Sequence, residues 1–170
     1  CVSSQVGCAM GCNFCATGLM GFQDNLTPGA IYDQVWVMNQ EAQERYGRSV
    51  SNVVFMGMGE PLLNYDAVLQ SVALLTDEDT LNMSPRRITI STVGLARRIR
   101  DLADDDPRTN LAVSLHAPTN EQRSAIMPVN QSEKTSLGAL EEAIRYYAET
   151  TGRPLTYEYC LFKDVNDSVE

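Results

Sequence analysis

Three of the five cysteines fall within one short stretch, Cys8-Ala9-Met10-Gly11-Cys12-Asn13-Phe14-Cys15, in the spacing CxxxCxxC. Thiolates are the ligands that iron–sulfur clusters use. Three of them on a four-iron cluster leave one iron open to chelate a further molecule, as an open zinc position binds water. Gly7 and Gly11 let the backbone wrap closely around such a group, and Phe14 would shield it from water. Two other readings of these residues stay open, a zinc site and a redox dithiol. Zinc favours paired CxxC units or two cysteines with two histidines, and the sole histidine is His116. A CxxC dithiol would leave Cys8 idle.

Further candidates stand apart from this octet. Gly59-Glu60-Pro61 follows an apolar run. It could bring backbone and a carboxylate close to a ligand, or be a tight turn with a solvated glutamate. Ser91 and Ser114-Leu115-His116 also follow apolar runs. A serine there is commonly a cap or turn residue, and the histidine could be a hydrogen-bonded core residue. Cys1 lies outside the cluster spacing and reads, on its own, as an ordinary small residue. Cys160 sits in Tyr157-Glu-Tyr-Cys-Leu-Phe162 and reads as a small buried residue of a strand.

The elements that must position these residues alternate between strand and helix. Ser3 to Val6 reads as a short strand entering the cysteine loop. Thr27-Pro28 marks an N-cap with proline at the first helical position. The helix to about Tyr46 carries Ile31, Val35, Met38 and Ala42 at helical spacing before Gly47. Strands are expected at Asn52–Met56, Arg87–Ser91, Leu111–Leu115 and Thr156–Phe162. Helices are expected at Asp66–Leu75, Leu95–Leu102, Asn120–Ile126 and Ser136–Thr150. The class is α/β with about five parallel strands. Candidate residues at strand ends fit a partial (β/α) barrel, although periodicity also admits a doubly wound sheet.

Composition narrows the function. The 170 residues, 44% hydrophobic, can form one domain with a sizeable core. The chain begins at Cys1 and ends at Glu170 just after an expected strand, so residues 1–170 read as a fragment truncated at both ends. No run of about 20 apolar residues spans a membrane. Crowded cysteines in odd number point to a metal site in a reducing cytosol rather than a secreted disulfide framework. A formal net charge of −9 argues against a free-standing electrostatic nucleic-acid binder. Arg86-Arg87 and Arg97-Arg98-Arg100 are local candidates for RNA contact or plain surface arginines, and Asp104-Asp105-Asp106 reads as a solvated turn.

Together these motifs carry a resemblance. CxxxCxxC with an aromatic before the last cysteine resembles the hallmark of radical S-adenosylmethionine (SAM) enzymes. Cys1-Val-Ser-Ser-Gln-Val-Gly-Cys8, Gly57-Met-Gly-Glu-Pro-Leu-Leu-Asn64, Ser91-Thr92 and Ser114-Leu-His-Ala-Pro118 are similar to the adenine-C2 RNA methyltransferases of the RlmN type, over nearly the whole chain.

The resemblance implies a radical SAM core over residues 1–170, with an N-terminal accessory domain and the rest of the barrel outside it. Cys8, Cys12 and Cys15 would hold a [4Fe–4S] cluster whose open iron binds SAM. Gly59, Glu60, Ser91, Ser114, Leu115 and His116 would contact SAM. Cys1 would be the resolving thiol that forms a disulfide to release product, its methyl-carrying partner cysteine lying beyond residue 170. The implied reaction methylates C2 of an adenine in 23S ribosomal RNA and transfer RNA, consumes two SAM molecules and needs an electron donor such as flavodoxin. A cytoplasmic monomer is expected, and this chain alone is expected to be inactive. The rivals are an adenine-C8 methyltransferase of the same superfamily and, from another class, a structural zinc-binding or thiol-redox module.

Overall fold

The computed structural model describes residues 1–132 and 135–168. Its core is a parallel sheet of four strands: β3 (Val53–Phe55), β4 (Ile88–Thr92), β5 (Asn110–Ser114) and β6 (Thr156–Glu158), hydrogen-bonded in chain order. Phe55 stands beside Ile90, Thr92 beside Val113 and Ser114 beside Glu158, so the C-terminal strand ends lie side by side. A sheet whose order follows the chain, with no reversal, is an arc of a barrel and not a doubly wound sheet.

Helices fill the crossovers. These are α2 (Tyr65–Thr76) after β3, α3 (Ala96–Asp105) after β4, and α4 (Asn120–Ile126), α5 (Val129–Ser132) and α6 (Leu137–Thr151) between β5 and β6. A longer helix, α1 (Pro28–Tyr46), precedes β3 and packs on α2, while α3 packs on α6. Val53, Phe55, Ile88, Ile90, Leu111 and Val113 meet Val68, Leu75, Ile99, Leu102 and Leu140 in the core. Each such apolar side chain taken from water contributes roughly 1.5–3 kcal/mol.

The caps are those the sequence signals. Thr27 Oγ1 accepts from Ala30 N–H at 3.2 Å, and Gly47 ends α1 in the left-handed conformation. Ser136 and Gly152 do the same for α6. The apolar stripe of α1 is buried only at Ile31 and Val35, while Met38 is exposed. At 1.5 Å per residue the helix is about 28 Å long, which outruns a three-residue strand of about 10 Å.

Several expectations need correction. Among the described residues the parallel sheet has four strands, where about five were expected. The strand expected at Ser3–Val6 becomes β1 (Gln5–Gly7) and pairs antiparallel with β2 (Phe22–Asn25), whose four exposed residues carry no apolar alternation to announce it. Just before β1 the chain does run alongside β3: Val2 N–H donates to Val54 O and Gly57 N–H to Val2 O, both at 2.9 Å. Gly7, at φ +75°, then turns it away, and a Cβ there would strike the Gly21 carbonyl.

The last strand stops at Glu158 instead of reaching Phe162. Side-chain acceptors capture the next backbone donors: Cys160 N–H goes to His116 Nδ1 (3.1 Å) and Phe162 N–H to Asn166 Oδ1 (2.6 Å). The acidic run Asp104–Asp106 is exposed to solvent as expected, but it forms the end of α3 rather than a free turn, and each carboxylate also has a partner. Tyr146 and Tyr65 hydroxyls donate to Asp104 (2.5 Å) and Asp105 (2.7 Å), and Asp106 pairs with Arg153. In the nearby basic cluster, Arg98 and Arg100 lie over the Tyr65 and Tyr146 rings at 5.0 and 4.3 Å.

Candidate active site

A cavity of about 260 Å³ opens at the C-terminal ends of the parallel strands. The loop after β1 supplies Cys8, Cys12, Phe14 and Cys15 to its wall. Gly59 and Glu60 come from the turn after β3, Ser91 and Thr92 from the end of β4, Ser114 and His116 from the end of β5, and Glu158 and Cys160 from the end of β6. Strand ends are where this architecture places chemistry, because the loops there can vary while the sheet holds them.

The cysteine loop is tied down at both sides. Cys8 N–H donates to Gly21 O at 3.1 Å. Asn13 donates from its backbone to Ile126 O (2.9 Å) and from Nδ2 to Ala125 O (2.6 Å), satisfying carbonyls at the end of α4. Phe14 is part-exposed, its ring edge-on to His116 at 5.0 Å and tilted on Phe162 at 5.3 Å, so it covers one side of the cavity.

Burial, then the neighbouring Cys8 and Cys15, pushes the Cys12 thiol up to about 11; burial likewise raises Cys8. Three thiolates around one cavity would be stabilised by a cationic partner. Among the described residues no three His, Cys, Asp or Glu side chains converge where a single ion could sit. One tetrahedral ion with metal–sulfur bonds of ~2.3 Å gathers its thiolates almost into contact. A four-iron cluster takes each thiolate on a different iron, so cysteines spread around one cavity suit the larger group.

Glu60 is only 2% exposed, which overturns the solvated-turn reading. Its carboxylate accepts from Leu62 N–H (3.0 Å) and Val93 N–H (2.8 Å). Those bonds favour the charged form, yet burial outweighs them and lifts its pKa to about 7. Gly59 adopts φ +99°, and a Cβ there would lie 2.5 Å from Gln5 Cβ, so only glycine lets β1 pass this close. Gln5 Oε1 in turn accepts from Glu60 N–H at 2.9 Å.

His116 is also buried and sits in the left-handed region at φ +57°. Its Nδ1 accepts from Cys160 N–H, which leaves the proton of the neutral ring on Nε2. Burial, then Arg123, lowers its pKa and keeps it neutral. Ser91 is a strand residue, not a cap, with its hydroxyl 3.4 Å from Glu158 Oε2. Leu115 is not among the residues lining the cavity; its N–H donates to Glu158 O at 2.9 Å. Cys1 is exposed and also lies off the cavity wall. Cys160, expected as a buried strand residue, is exposed and lines the cavity, because β6 ends before reaching it.

Sequence reasoning missed two residues here. Arg123 is fully buried beneath the site, although a lone arginine in a short polar helix looks like a surface residue. Asn166 donates from Nδ2 to His116 O (2.6 Å) and Cys160 O (2.8 Å), and a turn asparagine gives no local sign of that task. Among the described residues no helix is long and apolar enough to cross a membrane.

Comparison with known proteins adds to this geometry. Residues 2–170 match the radical SAM superfamily. The chain is 75% identical over 168 residues to a probable dual-specificity RNA methyltransferase RlmN from Salinibacter ruber, covering 99% of this chain and 46% of that protein. It is 51% identical over 171 residues to a protein of the same description from Christiangramia forsetii, covering 100% of this chain and 48% of that one. A radical SAM methyltransferase from Sphaerobacter thermophilus, known from its crystal structure, aligns with a TM-score of 0.96 at 48% identity, over 99% of this chain and 49% of that one. The chain thus spans about half the length of the curated relatives it matches.

Proposed function

The chain belongs to the radical SAM superfamily, and on that premise we propose that it is the catalytic core of an RNA methyltransferase acting on C2 of adenine in 23S ribosomal RNA and transfer RNA. The observation that carries the reading is the convergence on one cavity of three cysteines, a buried carboxylate and the polar ends of three further strands. The relatives described as dual-specificity RNA methyltransferases support the substrate class.

Cys8, Cys12 and Cys15 hold the [4Fe–4S] cluster. Bound there, cluster and SAM supply one-electron chemistry that can activate a C–H bond. Glu60, with its two backbone donors already in place, has free lone pairs for the α-ammonium of SAM. Gly59 lets backbone approach the same group. Ser91, Ser114 and neutral His116, all on the cavity wall, supply further SAM contacts, the His116 Nε2–H as a donor. Phe14 limits water. Cys1, exposed and therefore reachable, serves as the resolving thiol. The electron comes from a donor such as flavodoxin. The protein works as a cytoplasmic monomer.

The test is anaerobic reconstitution with iron and sulfide, reduction, and electron paramagnetic resonance with and without SAM. A [4Fe–4S]⁺ signal that changes on adding SAM is expected. Zinc uptake without a cluster would overturn the reading in favour of a structural metal module. For the substrate, these residues can replace their counterpart in a full-length relative, and nucleosides from ribosomal and transfer RNA can be analysed by mass spectrometry. 2-Methyladenosine is expected; 8-methyladenosine would reassign the target carbon.

A further inference from the structure

Arg123 is the largest fully buried side chain of the described protein. Every acceptor around its guanidinium is neutral. Nε–H donates to Leu115 O (3.2 Å), Nη1 to Asn130 Oδ1 (2.8 Å), and Nη2 to both Ser114 O (3.2 Å) and Val93 O. Among the described residues no carboxylate pairs with it. A buried charge without a counter-charge is strongly unfavourable, whereas the same charge beside an anionic centre is tolerated.

The cysteines lie across the same cavity: Arg123 donates to the carbonyls of Val93 and Ser114, and both residues line the cavity that Cys8, Cys12 and Cys15 also line. The two parts are mechanically linked as well, because Asn13 of the cysteine loop is bonded to the carbonyls of Ala125 and Ile126, two and three residues after Arg123. The three carbonyls that Arg123 holds end β4 and β5, next to the serines and histidine of the cavity wall.

We infer that Arg123 is the buried counter-cation of the cluster site, a positioning residue that clamps the ends of β4 and β5 and makes the cluster easier to reduce. The inference rests on the cluster reading above. A four-iron cluster with three thiolates carries net negative charge, and one-electron reduction adds another. A fixed positive charge nearby stabilises the reduced form more than the oxidised form, and net charge around a cluster is one of the terms that set its potential.

Two variants separate the charge from the clamp. Asn130→Asp keeps an acceptor on Nη1 but gives the guanidinium a carboxylate partner. Arg123→Lys keeps the charge but cannot make the forked set of bonds. Both are reconstituted, and the cluster is titrated electrochemically while its reduced signal is followed; the cluster-free chains are compared by thermal melting. In Asn130→Asp the reduced fraction at a fixed potential on the titration curve's oxidised limb is expected to fall about tenfold, equivalent to ~59 mV for a one-electron couple. In Arg123→Lys the melting temperature is expected to drop while the potential stays near that of the parent. A parental potential in Asn130→Asp, or a fall in Arg123→Lys as large as that in Asn130→Asp, would overturn the inference. Failure of the parent chain itself to form a four-iron cluster would instead remove the cluster reading.

Discussion

Replacing Glu60 by glutamine tests whether burial governs the site's one deeply enclosed carboxylate. The ordinary carboxyl value of 4.5 rises to about 7 in the folded chain because burial outweighs the bonds from Val93 and Leu62. Each pH unit is worth about 1.4 kcal/mol, so the ionised folded form carries a cost of about 3 kcal/mol. The sign follows from linkage. Below pH 4.5 the carboxyl is protonated in both states and contributes no slope. Between 4.5 and about 7 the folded chain keeps a proton that the unfolded chain has released, so stability falls as pH rises. Above about 7 both states are ionised and the cost is constant.

Glu60→Gln has no such slope. Its amide must set an NH₂ against Leu62 N–H or Val93 N–H, a cost of about 1–3 kcal/mol, but one that does not vary with pH. The diagnostic quantity is therefore the difference between the two pH curves, in which the background from cysteines and surface groups cancels. Thermal melts of the reduced, cluster-free chains from pH 4.5 to 8 should show the parent losing about 3 kcal/mol relative to the variant by pH 7. For a domain of this size that is roughly 6–12 °C in Tm. Parallel curves across the window would refute the claim that burial raises this carboxyl.

Three other outcomes follow from the geometry. Gly59→Ala must hold a side chain at φ +99° with its Cβ 2.5 Å from Gln5 Cβ, and should lose about 2–4 kcal/mol in urea unfolding together with SAM-dependent spectral change. Alkylation of the reconstituted protein followed by peptide mass spectrometry should modify exposed Cys1 and Cys160 first and spare Cys8, Cys12 and Cys15 until a chelator removes the iron. Cys12→Ser should abolish the cluster's visible absorbance while leaving the far-ultraviolet circular dichroism of the chain near that of the parent, since the exchange replaces a single atom in a loop outside the sheet.

Much of the molecule was legible because its signals are local. Thr27-Pro28 and Ser136 announce helix starts, Gly47 and Gly152 announce ends, and apolar runs locate β3, β4 and β5 to within about a residue. The cluster cysteines are legible for the same reason: their spacing lies within a single loop. Glu60, Ser91, Ser114 and His116 were legible as residues at strand ends, and parallel strands in register then bring them to one cavity.

The remainder depends on what lies across the fold. Ser3–Val6 has the pattern of a strand, but the close approach of Gly7 to Gly21 decides that it leaves β3 and pairs with β2. Cys160 looks buried in an apolar hexad, yet His116 Nδ1 takes its backbone N–H and ends the strand, which exposes the thiol in the cavity. Glu60 could have been solvated at a turn until the N–H of Val93, more than thirty residues away, turned its carboxylate inward. Arg123 has no local mark at all; only the meeting of the ends of β4 and β5 above α4 creates the ring of carbonyls that buries it. Spacing and caps determine what each segment is, whereas burial and charge at the site arise from contacts between segments distant in the chain, and only the folded structure sets those.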